Sequence, residues 1–324
     1  MLDFIIKRVL ISIPTIIAIT IIAFIIIQLP PGSYLQTYIA QLEESGYSVE
    51  EAEIEQIKQR YGLGQPIHIQ YFKWVSGIVQ GDFGFSFDWG EPVRELIGSR
   101  IALTLAVSIS ALLFSWIVAF PIGIYSAVKQ HTVGDYIFTF VGFLGLSIPN
   151  FMLALVLMYF AYQYFGLSVG GLFSQEYVRA SWSFAKLIDL LKHIWIPMVV
   201  VGTAGTAALI RILRNNLLDE LGKPYVVTAK SKGLKNITLL IKYPIRHAII
   251  PFVSTVGWQL PMLISRGSVV AIVLSLPTTG PLLLRALMNQ DMYLAGSFLL
   301  ILAVLTVIGT LISDILLAFI DPRI

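Results

Sequence analysis

No cysteine occurs in the 324 residues, which excludes disulfides, thiolate metal sites and a cysteine nucleophile. Charge is scarce as well. Asp, Glu, Lys and Arg make up 13% of the chain, about half the share usual in a soluble domain. The four histidines, His68, His131, His193 and His247, are scattered, and no His-Glu-x-x-His pair brings two of them to one helix face. A Gly-x-x-x-x-Gly-Lys-Ser/Thr phosphate loop is absent, so the chain carries no Walker-type ATP site of its own. Carboxylates are almost missing from the apolar runs, with Asp314 the exception. That leaves little for the proton or ion coupling by which secondary transporters work.

What remains is apolar: 56% of the chain is hydrophobic and the mean hydropathy is +0.80, which indicates a polytopic membrane protein. Lys7 and Arg8 precede a charge-free run, Val9 to Leu42, whose apolar part ends at Pro30-Pro31-Gly32. A signal peptide has an apolar core of only about 7–15 residues and then a cleavage site. The run from Val9 to Leu29 is longer and is a predicted transmembrane helix with its amino end in the cytoplasm. From 31 to 100, ten acidic residues face five basic ones, a net charge of −5 that suits the outside. Ser48 to Glu51 matches a capping box and Gly62 supplies a stop, predicting a short acidic helix from Val49 to Tyr61. Ile67, Tyr71, Trp74, Val75 and Ile78 recur at helical spacing, as in a helix lying in the membrane interface or packed on the end of a bundle.

Further spans are predicted at Ile101–Val128, Tyr136 to about Phe165, His193–Ile210, Ala248 to about Leu274, and Met292–Ser313 with a continuation to Ile320. Six spans leave both termini in the cytoplasm, where Lys7 and Arg8 belong. No internal repeat is visible. Ser147-Ile148-Pro149-Asn150 predicts a kinked or unwound third span, and Pro251 and Pro261 interrupt the fifth. Gly166 to Lys192 reads as a mixed outer loop. In the fourth span, Gly202-Thr203-Ala204-Gly205-Thr206-Ala207-Ala208 offers small residues for close helix contact or a pore wall. Asn150, polar at membrane depth, suits an interhelical hydrogen bond or a substrate contact. Arg266 costs about 2.5–3.5 kcal/mol inside a span and so faces a cavity or a partner. It lines an outer vestibule with Trp258 and Gln259, or it is structural, through an ion pair such as one with Asp291 or by snorkelling.

Positive charge concentrates between Arg211 and Pro251, where eight basic residues face Asp219 and Glu220. Flanked by apolar runs, this is a cytoplasmic loop beside lipid headgroups, not a nucleic-acid site. A helix continuing from Arg211 through Leu217, Leu218 and Leu221 stops at Gly222. Pro224 suits a first helical position, Tyr225 to Lys232 follows as a short helix, Gly233 ends it, and a third helix starts near Asn236 or Ile237. A helix of about 12 Å is marginal alone in water and needs a partner surface. Asn236-Ile237-Thr238 fits a glycosylation pattern but falls on the cytoplasmic side.

Tyr225-Val226-Val227-Thr228-Ala229-Lys230-Ser231-Lys232-Gly233-Leu234 resembles the cytoplasmic coupling loop of permease subunits in ABC importers of the dipeptide/oligopeptide type. The resemblance runs along the chain, through Arg8 and Pro14, Tyr61-Gly62-Leu63 with Gln65-Pro66, Gly81-Asp82-Phe83-Gly84-x-Ser86, Leu146-Ser147-Ile148-Pro149 and Asp321-Pro322-Arg323. It implies an all-α polytopic membrane protein with six transmembrane helices. These comprise the N-terminus and first helix over 1–30, an extracytoplasmic helical insertion over 31–100, and a permease-type core over 101–324 that includes the coupling loop 211–247. It also implies the plasma (inner) membrane of a bacterium or archaeon, a second permease subunit that is a different chain, two ATP-binding subunits carrying ATP and Mg, and an extracytoplasmic substrate-binding protein. The chain itself would bind no cofactor and would not be an enzyme.

The implied coupling residues are Tyr225, Thr228, Ala229, Lys230, Lys232, Gly233 and Leu234. Ala229 and Gly233 would allow close approach and Tyr225 and Leu234 would anchor. Lys230 and Lys232 would meet acidic groups or headgroups, or mark topology only. Asn150, Trp258, Gln259 and Arg266 are the translocation-pathway candidates. Two departures stand out. Val227-Thr228-Ala229 replaces the wider Glu-Ala-Ala, as is common in the peptide branch, and Pro277-Thr278-Thr279-Gly280 replaces the branch's Pro-Gly-x-Gly. The second touches the substrate side and keeps oligosaccharide cargo open beside peptides. A secondary transporter or channel without an ATPase would share the spans but have no use for the short loop helix.

Overall fold

Inside a bilayer every backbone N–H and C=O must be satisfied within the protein, and this chain satisfies them with helices. A computed structural model describes residues 2–28, 65–86, 88–166, 170–289 and 291–320. The order is α1 (Leu2–Gln28), α2 (Ile67–Val79), β1 (Phe85–Ser86), β2 (Glu91–Pro92), α3 (Val93–Val128), α4 (Val133–Ser147), α5 (Asn150–Phe165), α6 (Gln175–Val178), α7 (Phe184–Leu221), α8 (Pro224–Ser231), α9 (Asn236–Lys242), α10 (Pro244–Ser254), α11 (Val256–Val273), α12 (Thr279–Met288) and α13 (Met292–Ile320). The two short strands pair antiparallel, Phe85 opposite Pro92 and Ser86 opposite Glu91. Among the described residues four segments are long and apolar enough to cross a membrane: Ile6–Ile25, Val93–Val128, Phe184–Leu221 and Tyr293–Ala318. Two bent helix pairs raise the number to six if each pair is one span. The acidic helix expected over Val49–Tyr61, its capping box, Tyr61-Gly62-Leu63 and Asp321-Pro322-Arg323 lie outside the described residues.

Four expectations change in detail. The third span is two helices, α4 and α5, meeting at 102°. Pro149 forces Ile148 out of the helical region to φ −82° and ψ 123°, and the bend follows. The fourth span, expected from His193, is the middle of the 38-residue α7, so Phe184–Lys192 is helix where a loop was expected. Its charges obscured the helix because they are buried in specific contacts. Asp189 accepts from the backbone N–H (2.8 Å) and hydroxyl (2.7 Å) of Ser174, while Lys186 Nζ donates to Ala180 O at 2.6 Å. In the fifth span Pro251 sits inside α10, which gives way to α11 at Thr255. A 55° bend separates 244–259 from 262–273. The loop expected from Leu276 to Asp291 contains α12.

The chain divides into two compact units. One is built on Leu103–Gly280, with the last helix from Thr306. Its core has two clusters, one around Val107, Val200 and Val270, the other around Leu213, Leu217 and Phe252. The small residues of α7 serve close packing. A Cβ on Gly202 would stand 2.9 Å from Ala111 O and 2.6 Å from Phe114 Cδ1, and Ser115 Oγ lies 2.7 Å from Gly202 O. Gly145 of α4 meets the methyl of Thr203 in the same way.

The other unit comprises Ile6–Ala102 and Pro281–Leu305. Within it α2 packs one face on α1: Tyr71 Oη and Thr20 Oγ1 are 2.8 Å apart, and Phe24 sits against Tyr71 and Trp74. Ser86 Oγ donates to the fully buried Asp291 (2.5 Å), and Asp88 pairs with Arg285 at 2.7 Å.

Gly202→Ala drives a methyl against the backbone of α3, and overpacking of this kind costs about 1–3 kcal/mol. At Gly205 an added Cβ meets only Ser115 Oγ at 3.9 Å. The unfolding midpoint of the detergent-solubilised chain, followed by tryptophan fluorescence, is expected to fall for Gly202→Ala and to hold for Gly205→Ala. Equal midpoints would refute the contact.

Candidate functional site

The basic segment folds as three short helices after α7. Helix α7 ends at Leu221, Lys223 takes an extended conformation (φ −74°, ψ 147°), and Pro224 opens α8 where its missing N–H costs nothing. Gly233 closes the turn at φ +78°, its N–H bonded to Lys230 O at 3.0 Å, in the left-handed conformation that glycine adopts without strain. A Cβ there would meet nothing within 4 Å, so within this chain Gly233 supplies backbone geometry and not close approach.

Helix α8 has two different faces. Val226 and Ala229 are buried against Leu239 of α9, with Tyr225, Leu234 and Tyr243 packed around them. Ala229 thus lies on the inward face. The Tyr225 hydroxyl donates to Glu220, whose other oxygen lies 2.5 Å from Lys223 Nζ. Burial, and then the Glu220 carboxylate, push the Tyr225 phenol above its ordinary range, so it stays a donor. Its ring is 6.5 Å from Tyr243 and 5.7 Å from His247.

The opposite face, Val227, Thr228, Lys230, Ser231 and Lys232, is exposed. Thr228 Oγ1 donates to Pro224 O (2.9 Å) and Ser231 Oγ to Val227 O (3.1 Å). Both hydroxyls are therefore turned back into the helix, and what faces outward is apolar at Val227, 56% exposed, with amines at its edge. Lys230, Lys232 and Lys235 have no acidic partner among the described residues. Sequence reasoning missed Val227, although an apolar residue in an otherwise basic loop was the available signal. It also missed Glu220, which was counted only as a negative charge.

The pathway candidates are more dispersed. Asn150 is the first residue of α5 at the bend and is half-buried. Trp258, Gln259 and Arg266 share α11, with Trp258 and Arg266 exposed and Gln259 buried. No side-chain hydrogen bond or ion pair links these four among the described residues. Among the described residues Arg266 makes neither, and Asp291 is occupied by Ser86 and the Leu294 N–H. One Gly-x-Ser-x-Gly spelling exists, Gly166 to Gly170, but it follows helix α5 instead of a strand, and Ser168 lies outside the described residues. Among the described residues no three His, Asp or Glu side chains are placed to hold a metal.

The chain matches the family described as "Binding-protein-dependent transport system inner membrane component" over residues 119–324, and that family's N-terminal component over residues 1–110. It is 35% identical over 326 positions to the oligopeptide transport system permease protein AppB of Bacillus subtilis (strain 168), covering 100% of this chain and 99% of the relative. The dipeptide transport system permease protein DppB of Escherichia coli (strain K12) is 28% identical over 340 positions, again covering 100% of this chain and 99% of the relative. The glutathione transport system permease protein GsiC of Salmonella paratyphi A is 28% identical with the same coverage. With every part of the chain except 111–118 inside one of the two matches, the protein belongs to the family of binding-protein-dependent transport system inner membrane components, the permease subunits of ABC importers.

Proposed function

We propose that this chain forms half of the translocation pathway of an ATP-driven importer of short peptides and is coupled to its ATPase subunits through α8. The observation that carries the coupling is the two-faced α8. One side is fixed to α7, α9 and α10 of its own chain, and the other presents Val227, Thr228, Lys230 and Lys232, exposed among the described residues. In this reading the four bent or straight apolar helices over 101–324 and α13 make a five-span core, α1 is the sixth span, and both termini are cytoplasmic. Residues 31–100 form an extracytoplasmic insertion. The partners are a second permease, two ATP-binding subunits that hold ATP and Mg, and an extracytoplasmic binding protein. Closure of the ATPase pair on ATP displaces α8, and α7 and α10 carry the displacement into the spans. Tyr225, Ala229, Gly233 and Leu234 hold the helix in place for this. Asn150, Trp258, Gln259 and Arg266 stay the candidates for the pathway. The names of the similar permeases support peptides over oligosaccharides.

Val227→Glu alters only the outward face and puts a charge where an apolar contact is proposed. Uptake by cells is expected to fall at least about tenfold, the equivalent of about 1.4 kcal/mol, at unchanged membrane levels, and co-purification of the ATP-binding subunits should fall with it. Gly233→Leu, strained at positive φ, should leave ATP hydrolysis running without uptake. Normal uptake in both variants would sink the docking proposal. Tyr225→Phe keeps the ring and removes the bond to Glu220. Amide exchange over 224–231 should then quicken roughly tenfold, the lower end of the worth of a bond to a charged group, and an unchanged rate would show the bond to be idle. For cargo, unlabelled tripeptides should compete for uptake of a labelled tripeptide by the intact transporter, and oligosaccharides of similar mass should not.

A further inference from the structure

Helices α4 and α7 enclose a cavity of about 340 Å³ that no coupling or pathway residue lines. That volume falls at the small end of ordinary ligand sites. Its wall is mainly apolar, with Phe138, Gly142, Phe143, Ala207 and Ile210 beside the polar Thr139 and Asn215. Its mouth is charged. Arg214 is spent on Asp135, with Nε 3.3 Å from Oδ1 and Nη2 3.0 Å from Oδ2, and the same carboxylate accepts the His131 N–H at 3.1 Å. Arg211 has no acidic partner among the described residues. Its guanidinium lies 5.4 Å from the ring of Phe143, directly beside the apolar wall. His131 and Tyr136 are the other titratable groups lining the cavity. With the Arg214–Asp135 pair neutral, one positive charge is left over. Alongside the opening, Tyr136 and Phe140 are exposed by 61% and 64%, a surface suited to hydrocarbon and not to water.

We infer that this cleft is a binding site for an anionic phospholipid, its phosphate on Arg211 and the start of an acyl chain along Phe138, Gly142 and Ala207. The inference rests on the proposed topology, in which the Arg211 end of α7 lies at the cytoplasmic leaflet. That is the leaflet where basic pockets between helices meet anionic headgroups. A bound lipid would wedge between α4 and α7 directly beside the segment of α7 that leads to α8.

The test uses the full chain, purified with its lipids and exchanged against phosphatidylglycerol or phosphatidylcholine. Native mass spectrometry of wild type should show preferential retention of phosphatidylglycerol. Arg211→Gln should lose about fivefold of that preference, the equivalent of about 1 kcal/mol for one basic residue at an anionic surface, and Arg211→Lys should keep it. Equal retention by wild type and Arg211→Gln would overturn the site. If Arg211→Gln fails to fold, a photoactivatable phosphatidylglycerol on wild type decides. Labelling at Phe138, Phe143 or Ala207 supports the cleft, and labelling elsewhere overturns it. Loss of labelling to millimolar inorganic phosphate would assign Arg211 to free anions, and its loss on assembly with the second permease would assign the cleft to a protein contact. Either result overturns the lipid proposal. Failure of the Val227→Glu test would leave these readouts unaffected, because none of them depends on an ATPase.

Discussion

Helices in a bilayer gain little by burying apolar surface against each other, since lipid tails are as apolar as leucine. What holds them is close approach and the few hydrogen bonds that close approach permits. In this protein that requirement falls on α7. Gly202 brings its backbone against Ala111, Phe114 and Ser115 of α3, Thr203 fills the space left by Gly145 of α4, and Ser115 Oγ reaches Gly202 O. The Asp135–Arg214 pair adds a second tie between α4 and α7 three turns further on. Without these approaches α7 would be a long apolar rod with no preferred neighbour.

Because α7 is held in this way, its length matters. It runs unbroken for 38 residues, about 57 Å at the usual rise, from Phe184 to Leu221. At its far end the Glu220 carboxylate takes the Tyr225 hydroxyl, and Tyr225 also rests on Tyr243 and His247 at the start of α10. Helix α8 is therefore attached to the chain on both sides of itself. In the proposed coupling a displacement of α8 pulls on α7 and α10 together, and α10 continues through Thr255 into α11, whose Gly257 lies close against Thr310 and Ser313 of α13.

Helix α8 was legible in the sequence because its punctuation is local: Gly222, Pro224 and Gly233 fix where it begins and ends whatever surrounds it. Which of its residues face outward was not legible. Eight residues are too few for a periodic pattern, and burial there is decided by Leu239 and Tyr243, which come later in the chain. The start of α7 was missed for a related reason. Lys186, Asp189 and His193 depress the hydropathy that marks a span, and only the fold shows them buried against Ala180, Phe173 and Ser174. Pro149 predicted a break, but a 102° turn is a property of what packs on each side of it.

The same distinction bears on cargo. Pro277-Thr278-Thr279-Gly280 departs from the Pro-Gly-x-Gly of the peptide branch at a point that sequence alone assigns to the substrate side. In the fold the altered position, Thr278, is turned inward. Thr278 and Thr279 are buried, the Thr279 N–H donates to Thr104 Oγ1 at 3.0 Å, and the two threonine hydroxyls are 2.8 Å apart. The glycine that is kept has a packing reason, since a Cβ on Gly280 would stand 2.6 Å from Ser268 Cα. Thr104 Oγ1 supplies an acceptor to a loop that would otherwise leave the buried Thr279 N–H unpaired, and such a group costs about 1–3 kcal/mol. The departure is thus one buried residue, Thr278, next to a threonine at the variable position that is bonded to α3. Buried there, it gives no ground for preferring a sugar over a peptide.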